Sequence, residues 1–222
     1  MLPEDESTFS DRMRERAYRT WDAIVGHRFF GEIAADTVAD AVFARYLCVE
    51  YGFVDTAAAA LGYALAKAPG FAERRHLALG LFGLVTDQEQ FFVRAFDAVG
   101  AEAWSHGART PLAAPLHDLF LGVARDEDYE EILACLLGAE WMYLTWCTAA
   151  AKTPSSRKPI RDWVALHAGG PFADSVGWLR GEIDRRGPTL PPERQARMMR
   201  LFEQALAAEI PFHDEAYAGN KN

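Results

Sequence analysis

The sequence predicts an all-α, single-domain protein of about eight helices, packed around the apolar segment 132–151. Three observations predict this class. Apolar residues recur at helical spacing along most of the 222 residues, no stretch shows the alternation of a strand, and no repeat or Gly-rich linker divides the chain. Half of the residues are hydrophobic, which suffices for one sizeable core. We expect one domain over 1–222, with 1–8 as a flexible lead.

The first half of the chain predicts three helices. Ser10 or Asp11 can cap the first, whose inward residues are Met13, Ala17, Trp21, Ile24 and Val25. The second ends at Pro69–Gly70 and carries a stripe of Phe43, Leu47, Glu50, Val54, Ala58, Leu61 and Leu65. The third covers about 72–99, with inward residues Leu77, Leu81, Leu84, Phe91 or Phe92, and Phe96.

The second half begins with an expected loop at 100–115 and a modest helix, LHDLFLGVA. Asp126 or Asp128 can then cap the central helix. KTPSSRKP predicts a surface loop. The remaining predicted helices are a short one at IRDWVALHA, one over 171–186, and one over 193–217 with Met199, Phe202, Leu206, Glu209, Phe212 and Ala216 inward.

Composition and charge exclude several classes of function. A net charge of −9 and a pI near 5.2 argue against a nucleic-acid surface. The cysteines, Cys48, Cys135 and Cys147, lie in apolar helical patterns without CxxC spacing, so neither disulfides nor a zinc site is predicted. No signal peptide is visible, and we expect a cytoplasmic protein. The central segment is long enough to span a bilayer, but its Glu140 predicts a buried helix and no membrane partner.

Three carboxylates fall on apolar helical stripes: Glu50, Glu140 and Glu209. If they converge, repulsion and burial raise at least one pKa towards neutrality, which suits general acid–base catalysis. Aromatic residues accompany them in sequence: Tyr46, Tyr51 and Phe53, then Trp141, Tyr143 and Trp146, then Phe212 and Tyr217. Such a pocket would bind a flat, nitrogen-rich molecule. The alternative, surface acids and rings that only fill a core, stays open at this point.

Several segments carry a family resemblance. WDAIVGHRFFGEI is similar to a W-x-x-I-x-x-H-x-F pattern, the Tyr46–Leu47 pair precedes an acid and a tyrosine, and EIPFHDEAY resembles a C-terminal run of Glu, aromatic, Asp and Ala-Tyr. With the central helix and KPIRDWVALHAGGPF, these features resemble the TenA-like, or thiaminase II, family over most of the chain. That resemblance implies the haem-oxygenase-like helical fold.

The resemblance also implies a reaction: C–N hydrolysis of a thiamin-derived pyrimidine, aminopyrimidine or its N-formyl derivative, in thiamin salvage. It implies that Glu50 holds the aminopyrimidine edge, with Tyr46, Tyr51 and Phe53 beside it. It implies no cofactor, a small-molecule pyrimidine as ligand, and a homodimer or homotetramer.

The chain departs from the thiaminase II pattern at one position. Those proteins carry a nucleophilic Cys four residues before the central tyrosine, and here that position is Ala139. Cys135 lies one turn away, about 5.4 Å, which is too far to replace it. The chain therefore resembles the E-type branch, which lacks this Cys. We expect catalytic Glu140 or Glu209 to activate water and Tyr143 to stabilise developing charge.

Two other functions stay open. The fold could hold a pyrimidine without turning it over, since a fold does not certify a reaction. A metal oxidase is the other, because Glu209 and His213 stand four residues apart on one helix face. No other helix supplies such a pair, and a satisfied, partly buried histidine explains His213 more simply. We expect no metal.

Overall fold

The computed structural model describes residues 7–100 and 109–218. Within these ranges every regular element is helical, as predicted, and no strand occurs. The α-helices are α1 (Phe9–Arg16), α2 (Tyr18–Val25), α3 (Arg28–Ala34), α4 (Asp40–Lys67), α5 (Phe71–Gly83), α6 (Glu89–Val99), α7 (Ala114–Asp126), α8 (Tyr129–Ala150), α9 (Lys158–His167), α10 (Gly170–Arg186) and α11 (Pro192–Asp214). The expected lead lies outside the described residues except for its last two positions, and residues 101–108 of the expected 100–115 loop lie outside them as well.

The first predicted helix is two helices, and its predicted cap is wrong. Thr8 caps α1, accepting a hydrogen bond from the Asp11 backbone N–H. Ser10 bonds instead to Asp184 of α10. The Asp184 carboxylate accepts from the Ser10 N–H at 2.6 Å and from the Ser10 hydroxyl at 3.2 Å. The break falls at Ala17, between α1 and α2. The apolar pattern continues across this break, so sequence periodicity did not reveal it.

The loop between α8 and α9 is anchored rather than merely exposed. Asp36 has a φ of 57° and accepts hydrogen bonds from the Ser156 N–H (3.0 Å), the Ser156 hydroxyl (2.7 Å) and the Ser155 hydroxyl. These bonds hold the pKa of Asp36 below its usual range. Ser155 is the buried position of this loop, whereas Lys152, Thr153, Pro154 and Ser156 are exposed as predicted. The entry to α4 is thereby tied to the exit from α8.

The other end of α4 is fixed by Lys67. Its ammonium group donates to the carbonyl oxygens of Ala124 (2.9 Å), Arg125 (3.0 Å) and Glu127 (2.5 Å). Those carbonyls end α7, where backbone acceptors lack helical partners. The 28-residue α4 is therefore held at both ends.

The predicted helix over 72–99 is interrupted by a π-helical turn, Leu84–Gln88, where the Thr86 hydroxyl donates to the Phe82 carbonyl at 2.6 Å. A π turn adds a residue to the helix and shifts the phase of everything after it. Phe91 and Phe92 are both buried. The sequence had left open which of the two lies inward. Leu81 and Leu84, expected inward, are only half-buried.

The central helix α8 is enclosed by other helices, and its apolar residues belong to one continuous core. Among the described residues it alone is long and apolar enough to cross a membrane, but 72% of the apolar window is buried inside the protein. Gly138 sets its distance from α11, because an added Cβ would lie 2.8 Å from the Phe202 carbonyl oxygen. Asp128 precedes α8 without a capping side-chain bond and pairs with Arg194 at 3.4 Å.

The last helix, α11, presents most of its predicted face to the core. Phe202, Leu206, Glu209 and Phe212 are all buried, and Ala216 is buried in the 3₁₀ turn that follows. Met199 was expected inward, but Met198 is fully buried and Met199 half-buried. The error is one position, the usual uncertainty in the phase of a polar first turn.

Candidate functional site

Three helices bring the three predicted acids into one buried cluster. Glu50 of α4 is 7% exposed, Glu209 of α11 is 1% exposed, and Glu140 of α8 is half-buried. Burial raises the pKa of Glu50 and of Glu140 to about 7, and that of Glu209 well above its ordinary value. Charge repulsion adds to this: Glu140 raises the pKa of Glu50, and both raise that of Glu209. Convergence of the three acids, expected as one possibility, is found.

Tyr143 joins the three helices through its hydroxyl group. Its oxygen lies within hydrogen-bond distance of Glu50 Oε2 at 2.8 Å, Tyr46 Oη at 3.0 Å and His213 Nε2 at 3.2 Å. All four side chains are buried. Burial raises the pKa of both phenols, so each hydroxyl keeps its proton at neutral pH. The predicted residues Tyr46, Glu50 and Tyr143 therefore form one hydrogen-bonded group.

His213 is the member of this group that sequence reasoning missed. Its Nδ1 lies 2.8 Å from the Glu209 carbonyl oxygen and 3.5 Å from Glu209 Oε2. Burial lowers the pKa of the ring to about 3, so the ring is neutral. The sequence offers one signal for His213, its four-residue spacing from Glu209. By itself that spacing indicates either a pair of metal ligands or a satisfied histidine. Both ring nitrogens face protein atoms, and no group of three or more potential ligands occurs within 7–100 and 109–218.

A second histidine lies beside the first. His27 caps α3 by accepting from the Phe29 N–H at 3.2 Å, and its Nε2 lies 3.2 Å from Asp214 Oδ1. The His27 and His213 rings are 5.9 Å apart. The histidine of the W-x-x-I-x-x-H pattern thus lies at the edge of the site.

The predicted ring residues divide between the site and its surroundings. Phe53, one turn after Glu50, packs against Phe212 of α11 with ring centroids 5.7 Å apart. Tyr51 contacts Phe92 and Phe96 of α6 at 5.2 and 5.5 Å. It is half-buried and packs on the helix that follows the π turn, whereas Tyr46 bonds Tyr143 directly.

Trp141 lies apart from the cluster, although it is next to Glu140 in sequence. It contacts Trp21 at 5.3 Å and lies under the guanidinium of Arg180 at 4.2 Å. Adjacent helical residues point about 100° apart, which separates it from Glu140. Tyr217 is also directed elsewhere, donating to Glu32 at 2.6 Å. Trp146 does reach the site region, 5.8 Å from the Tyr143 ring.

Ala139, where the resemblance to the thiaminase II pattern would lead one to expect a nucleophilic Cys, is buried. Cys135, one turn earlier, is 2% exposed, and burial together with the charge of Glu209 raises the pKa of its thiol. A thiol in this state is protonated at neutral pH and is a poor nucleophile.

Two cavities in the described part of the chain lie apart from the acids. A small cavity is lined by residues between α3, α8 and α9, and a charged surface cleft by residues 126–131 and 193–197. Neither of these two includes Glu50, Glu140 or Glu209.

Comparison with known proteins gives a consistent match. The family described as TENA/THI-4/PQQC matches residues 14–219. A TenA homologue from Pyrococcus furiosus has a TM-score of 0.86 at 20% identity, covering 94% of this chain and all of that one. A TenA family transcription regulator from Silicibacter sp. TM1040 has a TM-score of 0.84 at 20% identity, covering 98% and 100%. A putative TenA-like thiaminase from Sulfolobus solfataricus P2 has a TM-score of 0.77 at 14% identity, covering 95% and 96%. No curated protein matches.

Proposed function

Because the chain belongs to the TENA/THI-4/PQQC family, we propose that it hydrolyses a C–N bond in a thiamin-derived pyrimidine with carboxylates in place of a thiol. The observation that carries this proposal is the cluster of the buried Glu50 and Glu209 with the half-buried Glu140, which follows Ala139 in the chain. The similarity to a putative TenA-like thiaminase supports the substrate class. We assign the chain to the branch that lacks the nucleophilic Cys.

Glu50 is proposed to hold the aminopyrimidine edge. With a pKa of about 7, it is available in both protonation states near neutral pH. A neutral carboxyl group can donate to a ring nitrogen through one oxygen and accept from the exocyclic amine through the other. Phe53 and Phe212 supply apolar surface one turn from this carboxyl. This pairing would orient the pyrimidine ring so that its methylene carbon faces Glu140 and Glu209.

Glu140 and Glu209 are proposed to divide the proton transfers. Glu209 is the more deeply buried and holds its proton more tightly, so it would donate to the leaving nitrogen. Glu140 would accept the proton of the attacking water. For aminopyrimidine, the water oxygen bonds to the methylene carbon, the C–N bond breaks, and ammonia and hydroxymethylpyrimidine form. For the N-formyl derivative, water attacks the formyl carbon, and formate and aminopyrimidine form.

Tyr143, which lies beside Glu50, is proposed to stabilise the negative charge that develops in the transition state. Its raised pKa keeps it a hydrogen-bond donor throughout the working pH range. A donor aimed at a developing negative charge stabilises a transition state more than a ground state.

Incubation of the purified protein with thiamin, aminopyrimidine and N-formyl-aminopyrimidine tests the proposal. We expect release of hydroxymethylpyrimidine or aminopyrimidine from the latter two and little cleavage of thiamin. Rapid thiamin cleavage would contradict the carboxylate mechanism. Tight binding of a pyrimidine with no product over long incubation would instead favour a binding protein.

We further propose that the protein is a cytoplasmic homodimer or homotetramer. Apolar side chains on α5 and α6 support self-association, since Phe71, Phe82 and Val93 are 82%, 64% and 50% exposed. Light scattering coupled to gel filtration measures the assembly directly. A monomer at micromolar concentration would contradict this proposal without affecting the proposed reaction.

A further inference from the structure

The Tyr143 hydroxyl has more partners than it has hydrogens. Glu50 Oε2, Tyr46 Oη and His213 Nε2 all lie within 3.2 Å of its oxygen. A phenol donates one hydrogen bond and accepts up to two. Tyr46 can donate its own hydrogen to Tyr143, but Glu50 and His213 then compete for the single Tyr143 hydrogen.

The state of His213 follows from its other nitrogen. Nδ1 lies 2.8 Å from the Glu209 carbonyl oxygen, which only accepts, so the hydrogen of the neutral ring is on Nδ1. Nε2 then carries a lone pair and needs a donor. Tyr143 is the hydroxyl group that faces it, at 3.2 Å.

We infer that His213 is a positioning residue: by accepting the Tyr143 hydrogen, it keeps the proton on Glu50. In this state Glu50 donates to Tyr143 and Tyr143 donates to His213, so each close contact contains one hydrogen. Ionised Glu50 would draw the Tyr143 hydrogen to itself. The Nε2 lone pair would then face the phenol oxygen without a hydrogen between them.

The free-energy cost of leaving the Nε2 lone pair without a donor sets the size of the change in the Glu50 pKa. Losing one buried hydrogen bond costs on the order of 1 kcal/mol, which corresponds to roughly one pKa unit. His213 therefore adds to the effect of burial on Glu50, which is the largest cause of its raised pKa. The inference deepens the proposed function and rests on it only for its catalytic consequence, a larger fraction of Glu50 able to donate to a pyrimidine nitrogen.

Other titratable groups face this pair. Hydrogen bonds with Tyr143 and Tyr46 lower the Glu50 pKa and the charge of Glu140 raises it, while His27 lowers the His213 pKa. Around Glu50 they are Tyr46, Tyr143, Cys147, Glu140 and Glu209; around His213 they are His27, Tyr46, Tyr143 and Glu209. From α7, His117 bonds Thr56 at 2.8 Å, and Glu215 after α11 pairs with Arg45. The His213→Phe change leaves all these groups in place and removes only the acceptor and the Nδ1 donor.

Carbon-13 NMR of glutamate carboxyl groups tests the inference without any turnover. The Glu50 signal is assigned by its loss in Glu50→Gln, and its titration is followed in wild type, His213→Phe and His213→Gln. We expect the Glu50 pKa to fall by about one unit in His213→Phe. We expect it to stay within a few tenths of a unit in His213→Gln, whose amide oxygen can accept from Tyr143 while its NH₂ donates to the Glu209 carbonyl.

Two further measurements keep the test decisive if the Phe variant folds poorly. His213→Leu also removes the acceptor and should lower the Glu50 pKa as His213→Phe does, whereas in a Tyr143→Phe background, where the intermediary is gone, the same His213→Leu change should leave the Glu50 pKa unaltered. In the wild-type protein at about pH 6, nitrogen-15 shifts should show His213 protonated on Nδ1 and unprotonated on Nε2. A proton on Nε2, or an unchanged Glu50 pKa in folded His213→Phe, would overturn the inference. Failure of pyrimidine turnover with these NMR results intact would count against the proposed function alone.

Discussion

Gly138 of α8 lies so close to Phe202 of α11 that a Cβ atom would be 2.8 Å from the Phe202 carbonyl oxygen and 2.9 Å from the Ala205 Cβ. Both obstructions belong to the backbone and first side-chain atom of a packed helix, which cannot rotate away. Gly138 is two residues before Glu140 and five residues before Tyr143. The distance between α8 and α11 therefore also sets the distance between Glu140 and Glu209.

Gly138→Ala should destabilise the protein by about 1–3 kcal/mol, because the two helices must separate to admit one methyl group. Thermal unfolding measures the loss. Gly181→Ala in α10 is the matched control, since its Cβ would meet nothing within 4 Å and should be neutral or stabilising. Equal stability of the Gly138→Ala variant and the wild type would show that the helices are not held at this distance.

Glu209→Gln should lower turnover of aminopyrimidine substrates by about 100-fold or more, because the amide cannot donate a proton and recover it. Steady-state kinetics would show the loss mainly in kcat. Glu203→Gln, on the same helix but half-exposed, is the control and should retain wild-type rates. Full turnover by Glu209→Gln would remove this residue from the mechanism.

Glu140→Gln should become more stable relative to wild type as the pH rises from 4.5 to about 7. The folded-state pKa of Glu140 is raised, so its ionisation opposes folding across that window and adds nothing below it. The slope is at most about 1.4 kcal/mol per pH unit. The comparison must be with wild type, because buried His167 and His213, whose pKa values are lowered to about 4 and about 3, act in the opposite direction. Denaturant unfolding at several pH values measures it, and a constant difference would contradict the raised pKa.

Cys135→Ala should keep its activity, and thiol alkylation of the native protein should leave turnover intact. Burial raises the pKa of this thiol, so little thiolate exists at neutral pH. The measurement is turnover before and after treatment with iodoacetamide, with Glu209→Gln as the inactive reference. Loss of activity in Cys135→Ala with an unchanged thermal midpoint would restore a thiol mechanism.

The helical class and the acids on three apolar stripes could be predicted from sequence because helical periodicity marks any charge that falls on a buried face. The break at Ala17 and the π turn Leu84–Gln88 could not, since neither interrupts the apolar pattern. His213 escaped for a different reason. Its importance depends on Tyr143, 70 residues away in the chain, and no local spacing reports that contact.

The three acids are buried to different degrees: Glu209 is 1% exposed, Glu50 is 7% exposed, and Glu140 is the nearest to solvent. A molecule entering from outside would meet Glu140 first and come to rest against Glu50 and Glu209. Electrostatic selection then begins at the entrance, where an ammonium group lowers the pKa of Glu140 and a neutral amide does not. The protein would therefore release a proton to the buffer when it captures an amine and none when it captures the formylated compound.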